Sequence, residues 1–257
     1  MTGVILAAGR GARLNGYSGD IPKCLVTLGA ETLLSRNVRL LRESGIEDIV
    51  VVVGCSADAV QESCPGVTFV RNEVFARTNS LYSLWLARPL LVHGFVVMNC
   101  DVLAHPQLIR DLLSARYEDA LLIGYREPNT TFGEEEMKVR VRCGRVTAIS
   151  KAMRGEDADG ENVGIAKFGG PGARVLVSEM DALVAAGESR AWVPRAFEAF
   201  ARRRPLHAVG TRGYPWMEID FPEDYRRAVD VVLPAIESDL SSTQSCANRS
   251  EPIARSA

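Results

Sequence analysis

The feature that most constrains this chain is its first strand together with the loop that leaves it. Gly3 to Leu6 is a short apolar run that empties into Ala7-Ala8-Gly9-Arg10-Gly11-Ala12-Arg13, and a lysine comes next at Pro22-Lys23. Glycines let backbone approach a ligand closely, and consecutive exposed N–H groups make an anion-binding concavity. Arg10, Arg13 and Lys23 add positive charge around the same anion. Strand, glycine loop and three cations together read as a nucleoside triphosphate site, although a tight turn after a first strand also uses glycines. The Gly-Lys-Ser/Thr of a Walker loop is missing. A dinucleotide loop needs a glycine where Leu14 stands and an acid at the end of the second strand, where Gly54-Cys55 stand.

Apolar runs and amphipathic segments alternate along the chain, which predicts a parallel sheet covered by helices. Strands are expected at 2–6, 49–53, 67–70, 94–99 and 120–125, and helices at 32–44, 79–91 and 106–115. After Arg126, the alternating segments 137–141 and 145–150 flank Cys143-Gly144 and predict a hairpin. A strand at 162–168, helices at 173–186 and 194–203, strands at 206–209 and near 216–219, and a helix at 222–237 complete one domain over 1–237. From Ser238 the chain turns polar, so 238–257 is expected to be a disordered tail.

The 257 residues, 47% of them hydrophobic and 24% charged, suffice for a single large core. A net charge of −2 offers no global attraction for nucleic acid or anionic membrane. The six cysteines lack CxxC or zinc spacing and read as buried free thiols in a reducing compartment. With no transmembrane-length apolar stretch and no leader before the first strand, a cytoplasmic location is expected. A homodimer is compatible with the sequence.

Leu6-Ala7-Ala8-Gly9-Arg10-Gly11-Ala12-Arg13-Leu14 followed by Pro22-Lys23-Cys24-Leu25 resembles the LAAGxGxRL…PKxL signature of nucleotidyltransferases that make activated sugars and alcohols. Gly16–Ile21 replaces the Pro-Leu-Thr common in that family. Trp216-Met217-Glu218-Ile219-Asp220 and Asn79-Ser80-Leu81-Tyr82-Ser83-Leu84 resemble segments of its phosphocholine-type cytidylyltransferases. The resemblance implies a Rossmann-like, GT-A-like α/β fold, a mostly parallel sheet flanked by helices with a small antiparallel insertion.

It also implies roles. Leu6, Ala7, Ala8, Gly9, Arg10, Gly11, Asn79 and Ser80 are expected at the nucleotide, and Arg13, Lys23, Asp101 and Asp220 at the reacting phosphates. Asp101, just past a buried strand, and Asp220 are the expected Mg²⁺ ligands, oxygen donors suited to a hard cation. Asp220 also reads as a helix cap, as do Asn79 and Ser80. Lys151, Glu161, Trp216 and Glu218 are candidates for acceptor contacts, Glu161 and Asn162 also reading as a plain turn. Tyr82, Trp85 and Tyr214 are further candidate walls for an amine-bearing acceptor. CTP is the favoured nucleotide, with a small phosphate- or phosphonate-bearing acceptor. A sugar 1-phosphate transferase using UTP, GTP or dTTP, and a catalytically silent nucleotide-binding regulator, are the alternatives. The Arg202-Arg203-Arg204 run reads as a solvated helix end, and His93, His105 and His207 have no ligand spacing.

Overall fold

The computed structural model describes residues 1–14, 21–128 and 131–249. The Gly16–Ile21 departure therefore lies outside the described residues except for Ile21, as do 250–257 of the expected tail.

In chain order the strands are β1 (Thr2–Ala7), β2 (Thr27–Leu28), β3 (Glu31–Thr32), β4 (Ile49–Val53), β5 (Thr68–Arg71), β6 (Gly94–Asn99) and β7 (Val102–Ala104). They continue with β8 (Ala120–Tyr125), β9 (Lys138–Arg142), β10 (Arg145–Ser150), β11 (Gly160–Gly169), β12 (His207–Gly210) and β13 (Trp216–Glu218). The helices are α1 (Leu33–Glu43), α2 (Ala57–Ser63), α3 (Ser80–Leu86), α4 (Pro106–Ser114), α5 (Gly170–Ala185), α6 (Val193–Ala201), α7 (Pro222–Arg227) and α8 (Leu233–Arg249).

Nine strands form one sheet in the order β5-β4-β1-β6-β11-β8-β12-β10-β9. The half from β5 to β6 is parallel, and β11 enters against both β6 and β8. All five residues of β4 are buried, as a strand covered on both faces requires. One face packs on α1, α2 and α4 through Leu34, Val38, Val60, Leu108 and Leu112. The other packs on α3, α5 and α6 through Leu81, Leu84, Leu176, Phe197 and Phe200. The expected hairpin is β9–β10, and Cys143 and Gly144 at its turn have φ of 50° and 72°, the left-handed pair a tight hairpin needs.

Three local readings change. The helix expected through Leu91 stops as α3 at Leu86 and continues only as a 3₁₀ turn, Arg88–Leu90, containing Pro89. Proline cannot donate the next helical hydrogen bond. Helix α2 and strands β2, β3 and β7 had no sequence expectation. The tail expected to be disordered from Ser238 is instead helical to Arg249. Leu233 and Ile236 are buried in a third cluster with Leu14, Leu103, Met217 and Ile219, and Leu240 packs against it. Asp239 Oδ2 lies 3.1 Å from His105 Nε2. An anchored first turn meets the nucleation cost, so polar residues then propagate the helix. Arg204 is not merely solvated either, for it pairs with the buried Asp119.

The thiols divide. Cys24, Cys64 and Cys100 are buried, Cys55 is half-buried, and Cys143 is exposed at the hairpin turn, against the expectation of burial.

Candidate functional site

The parallel half of the sheet aims the carboxyl ends of β1 and β6 at the same crevice, because Leu6 pairs with Asn99 across the ladder. Cys100 N donates to Leu6 O at 3.2 Å, so Asp101 follows directly beside the glycine loop. Opposite it, β13 runs antiparallel to β7 with Glu218 against Val102, and Ile219 N donates to Asp101 O at 3.0 Å. That short ladder carries Glu218 and Asp220 across more than a hundred residues of sequence to Asp101.

Lys23 joins them from a 3₁₀ turn, Lys23–Leu25. Gly11, at φ +65°, makes this approach feasible: a Cβ there would stand 2.5 Å from Lys23 Cβ. Lys23 Nζ donates to Asp101 Oδ2 at 2.8 Å and to Asp220 Oδ1 at 2.5 Å. Arg13 Nη2 donates to Asp220 Oδ2 at 3.1 Å. Burial alone would pull the Lys23 ammonium down, but Asp101 and Asp220 outweigh it and hold its pKa above the usual lysine value. Burial likewise opposes the Asp220 charge, and Lys23 and then Arg13 reverse that, setting Asp220 below the usual carboxylate range. Burial, with the charges of Asp101 and Asp220, pushes the neighbouring Glu218 up to about 8.

Asp220 does not cap the following helix. Asp224 does so, its Oδ2 accepting from Asp220 N at 3.0 Å and Phe221 N at 2.8 Å, which leaves the Asp220 carboxylate to the cations. Asn79 does cap α3, accepting from Ser80 N at 2.7 Å, and Ser80 Oγ accepts from Val193 N at 3.0 Å, tying α3 to α6.

These groups line a cavity of about 410 Å³. It takes in Leu6, Ala7, Ala8, Gly9, Gly11, Arg13, Lys23, Asn79, Ser80, Asp101, Lys151, Glu218 and Asp220. A Cβ on Gly9 would meet nothing within 4 Å, so the loop backbone there faces open space.

Three expected residues lie elsewhere. Arg10 is exposed, with its guanidinium 5.5 Å from the centre of the Phe75 ring. Trp216 packs beneath Gly124, where an added Cβ would be 2.6 Å from the indole, so it serves to seat β13. Glu161 lies opposite Lys138 in the β11–β9 ladder, outside the cavity, while its neighbour Asn162 lines it. Nor do Tyr82, Trp85 or Tyr214 reach the cavity: Tyr82 sits against Trp85, Arg88 stacks on Trp85, and Tyr214 stacks on His105. The aromatic walls are Phe75, Trp192 and Phe197. Glu135 also lines the cavity. Glu135 and Trp192 lie in segments without a motif, and only chain folding brings them here.

Glu161 has a measurable consequence. Burial, with the Glu136 charge, raises its pKa to about 7, against 4.5 for an ordinary glutamate. The folded state thus holds this proton more tightly, so the Glu161 contribution to stability is greatest at acid pH and falls as pH rises from 4.5 to about 7. Glu161→Gln is expected to flatten that slope and stabilise the protein at pH 8 by about 1–3 kcal/mol, read from urea unfolding at pH 5 and pH 8.

Asp101 and Asp220 each place one carboxylate oxygen on Lys23 Nζ, so both acids are directed at one cationic centre. Asp101 Oδ1 is moreover buried with no hydrogen-bond partner among the described residues, an acceptor suited to a ligand. Among the described residues no three His, Cys, Asp or Glu side chains are grouped to hold a metal by themselves. A two-carboxylate set suits Mg²⁺, which retains waters and takes substrate phosphates as further ligands.

A family model described as the MobA-like NTP transferase domain matches residues 3–154. A choline-phosphate cytidylyltransferase of Streptococcus pneumoniae is 26% identical over 246 residues, spanning 90% of this chain and 98% of that protein. The solved structure of CTP:phosphocholine cytidylyltransferase from Streptococcus pneumoniae superposes with a TM-score of 0.73 at 26% identity, over 90% of this chain and 98% of that one. A bifunctional IPC transferase and DIPP synthase of Rubrobacter xylanophilus is 31% identical over 234 residues, 89% of this chain. The chain spans only 51% of that protein's length. The inositol-1-phosphate CTP transferase structure from T. maritima, at 20% identity and TM-score 0.77 over 92% of this chain and 96% of that one, shares the fold.

Proposed function

The chain belongs to the MobA-like NTP transferase domain family, and from that premise we propose that it moves CMP from CTP to a small phosphate- or phosphonate-bearing acceptor, releasing pyrophosphate. The observation that carries this reading is the convergence of Asp101 and Asp220 on Lys23 beside the glycine loop. The cytidylyl preference is supported by the activities named for the Streptococcus pneumoniae and T. maritima proteins. Phosphocholine, aminoalkylphosphonates and inositol phosphates are the acceptor types, with the enzyme acting in the cytoplasm.

The acceptor phosphate is already anionic, so the chain needs no general base; its work is positioning and charge neutralisation. The loop N–H groups and Arg13 bind the phosphates that depart as pyrophosphate. Lys23 offsets charge building around the α-phosphorus, and Lys151 faces the acceptor phosphate. Asp101 and Asp220 are the residues to hold Mg²⁺, which when bound supplies Lewis-acid charge at the phosphoryl oxygens. Packing of Asp101 and Asp220 around Lys23 keeps both carboxylates oriented without substrate, the preorganisation that electrostatic catalysis requires.

Pyrophosphate release measured with CTP, UTP, GTP and dTTP against a panel of phosphorylated acceptors tests the reading. Release is expected with CTP and one of the small acceptors, dependent on Mg²⁺. Release only with a sugar 1-phosphate and UTP, GTP or dTTP overturns the assignment, and none with any pair leaves a nucleotide-binding regulator.

A further inference from the structure

Glu135, from the segment between β8 and β9, brings a negative charge to a cavity whose expected ligands are themselves anions. Its Oε2 accepts from Arg13 Nη1 at 3.1 Å and from Lys151 Nζ at 3.2 Å. The three residues belong to separate stretches of chain, the end of the glycine loop, the β8–β9 connection and the residue after β10. Lys151, then Arg13, holds the Glu135 carboxyl below the usual glutamate range, so it is charged at neutral pH. One oxygen held between a guanidinium and an ammonium is the arrangement a phosphate oxygen adopts.

The contact is also built to give way. The Glu135 side chain is 65% exposed and that of Arg13 49%, so the pairs are screened and individually weak. Arg13 keeps a second partner, since its other terminal nitrogen holds Asp220. Lys151 keeps its place 5.3 Å from the centre of the Trp192 ring. Both cations therefore remain aimed into the cavity when the Glu135 carboxylate leaves.

We propose that Glu135 is an internal competitor for phosphate: its carboxylate holds the anion position between Arg13 and Lys151, and a phosphate-bearing substrate must displace it to bind. This rests on the transferase reading and adds to it a residue that sets the threshold for substrate entry. Substrates carrying several phosphate charges at that position displace it, and singly charged anions compete poorly.

Calorimetric titration of the full chain with inorganic pyrophosphate tests this without turnover. At low ionic strength Glu135→Gln is expected to lower the dissociation constant roughly threefold to tenfold, the ratio narrowing toward one at about 0.5 M salt. Glu134→Gln makes the same change in net charge one residue away, at a side chain with no ion pair among the described residues. It is expected to leave binding within about twofold. Equal or weaker binding by Glu135→Gln overturns the proposal, as does an equal gain in Glu134→Gln or no pyrophosphate binding by any form. If the binding pattern appears but no nucleotide is ever cleaved, the transferase reading falls and the competitor stands. An active enzyme with equal binding in both forms has the opposite meaning.

Discussion

Asp101→Ala is expected to slow pyrophosphate release by about 10²–10³-fold while leaving the folded protein at least as stable as before. The two effects separate because of what Asp101 does in the fold. One of its oxygens meets Lys23 Nζ, and the other is buried without a hydrogen-bond partner among the described residues. Leaving an acceptor unsatisfied in that position is a cost, which alanine removes. Lys23 retains Asp220 as its counter-ion, so no lone buried charge results. The strand end itself is secured by main-chain bonds, Cys100 N to Leu6 O and Ile219 N to Asp101 O, which alanine keeps. A thermal melt beside the release assay checks both halves. An Asp101→Ala enzyme of normal rate would refute the role given to this carboxylate.

Lys23→Ala is expected to be as inactive, by about 10²-fold or more, but to behave oppositely in stability. Asp101 and Asp220 then face each other and Glu218 without Lys23, with Arg13 still on Asp220 but no cation paired to Asp101 among the described residues. Breaking a largely buried pair by removing one partner is costly; with the carboxylates partly open to solvent, a loss of about 2 kcal/mol is expected at pH 7. The pH dependence has a definite sign. Asp220 has a folded pKa below its unfolded one, so its pairing stabilises at neutral pH and that share disappears as pH falls through the folded value. Lys23 has a raised pKa, so its share is complete below the ordinary lysine value and lost only as pH rises through the folded one. The difference between wild type and Lys23→Ala should thus be largest near neutrality and shrink toward acid pH, where the carboxyls protonate. Added Mg²⁺ is expected to raise the melting temperature of Lys23→Ala more than that of wild type. Equal melting curves at pH 7 with full activity would contradict the whole charge arrangement.

These two substitutions act on one small cluster, and its parts were unequally visible beforehand. The glycine loop and Lys23 lie in one contiguous stretch whose backbone demands are local, so residue types alone declare them. Gly11 shows why: its positive φ and the close approach of Lys23 exclude any side chain there. Asp101 and Asp220 were legible as carboxylates at strand ends, and the resemblance paired them. What spacing could not show is the β7–β13 ladder that joins them, since β7 is three residues long and carries no periodic signal.

Residues read by chemical type alone fared differently. Trp216 and Glu161 have suitable side chains, but alternation along a strand does not say which face meets the cavity. Trp216 packs under Gly124, and Glu161 pairs in register with Lys138 of β9, outside the cavity that its neighbour Asn162 lines. Asp220 was a candidate to cap the following helix, and only the packed structure gave that contact to Asp224 instead. The polar stretch from Ser238 looked unable to fold by itself, a judgement about composition that a docked helix start reverses.

By itself, then, the sequence determined what is local: most of the order of strands and helices, the anion-binding loop, and the identity of the charged groups available for phosphate chemistry. Tertiary structure alone decided which of those groups meet, and it recruited Glu135, Trp192 and Phe197, which no motif marks. The physical reason is that hydrophobic periodicity and turn chemistry act over a few residues. The ion pairs of the site instead join Lys23 to Asp101 and Asp220, and Arg13 to Glu135 and Asp220, across 78 to 207 positions, distances that only the packed sheet closes.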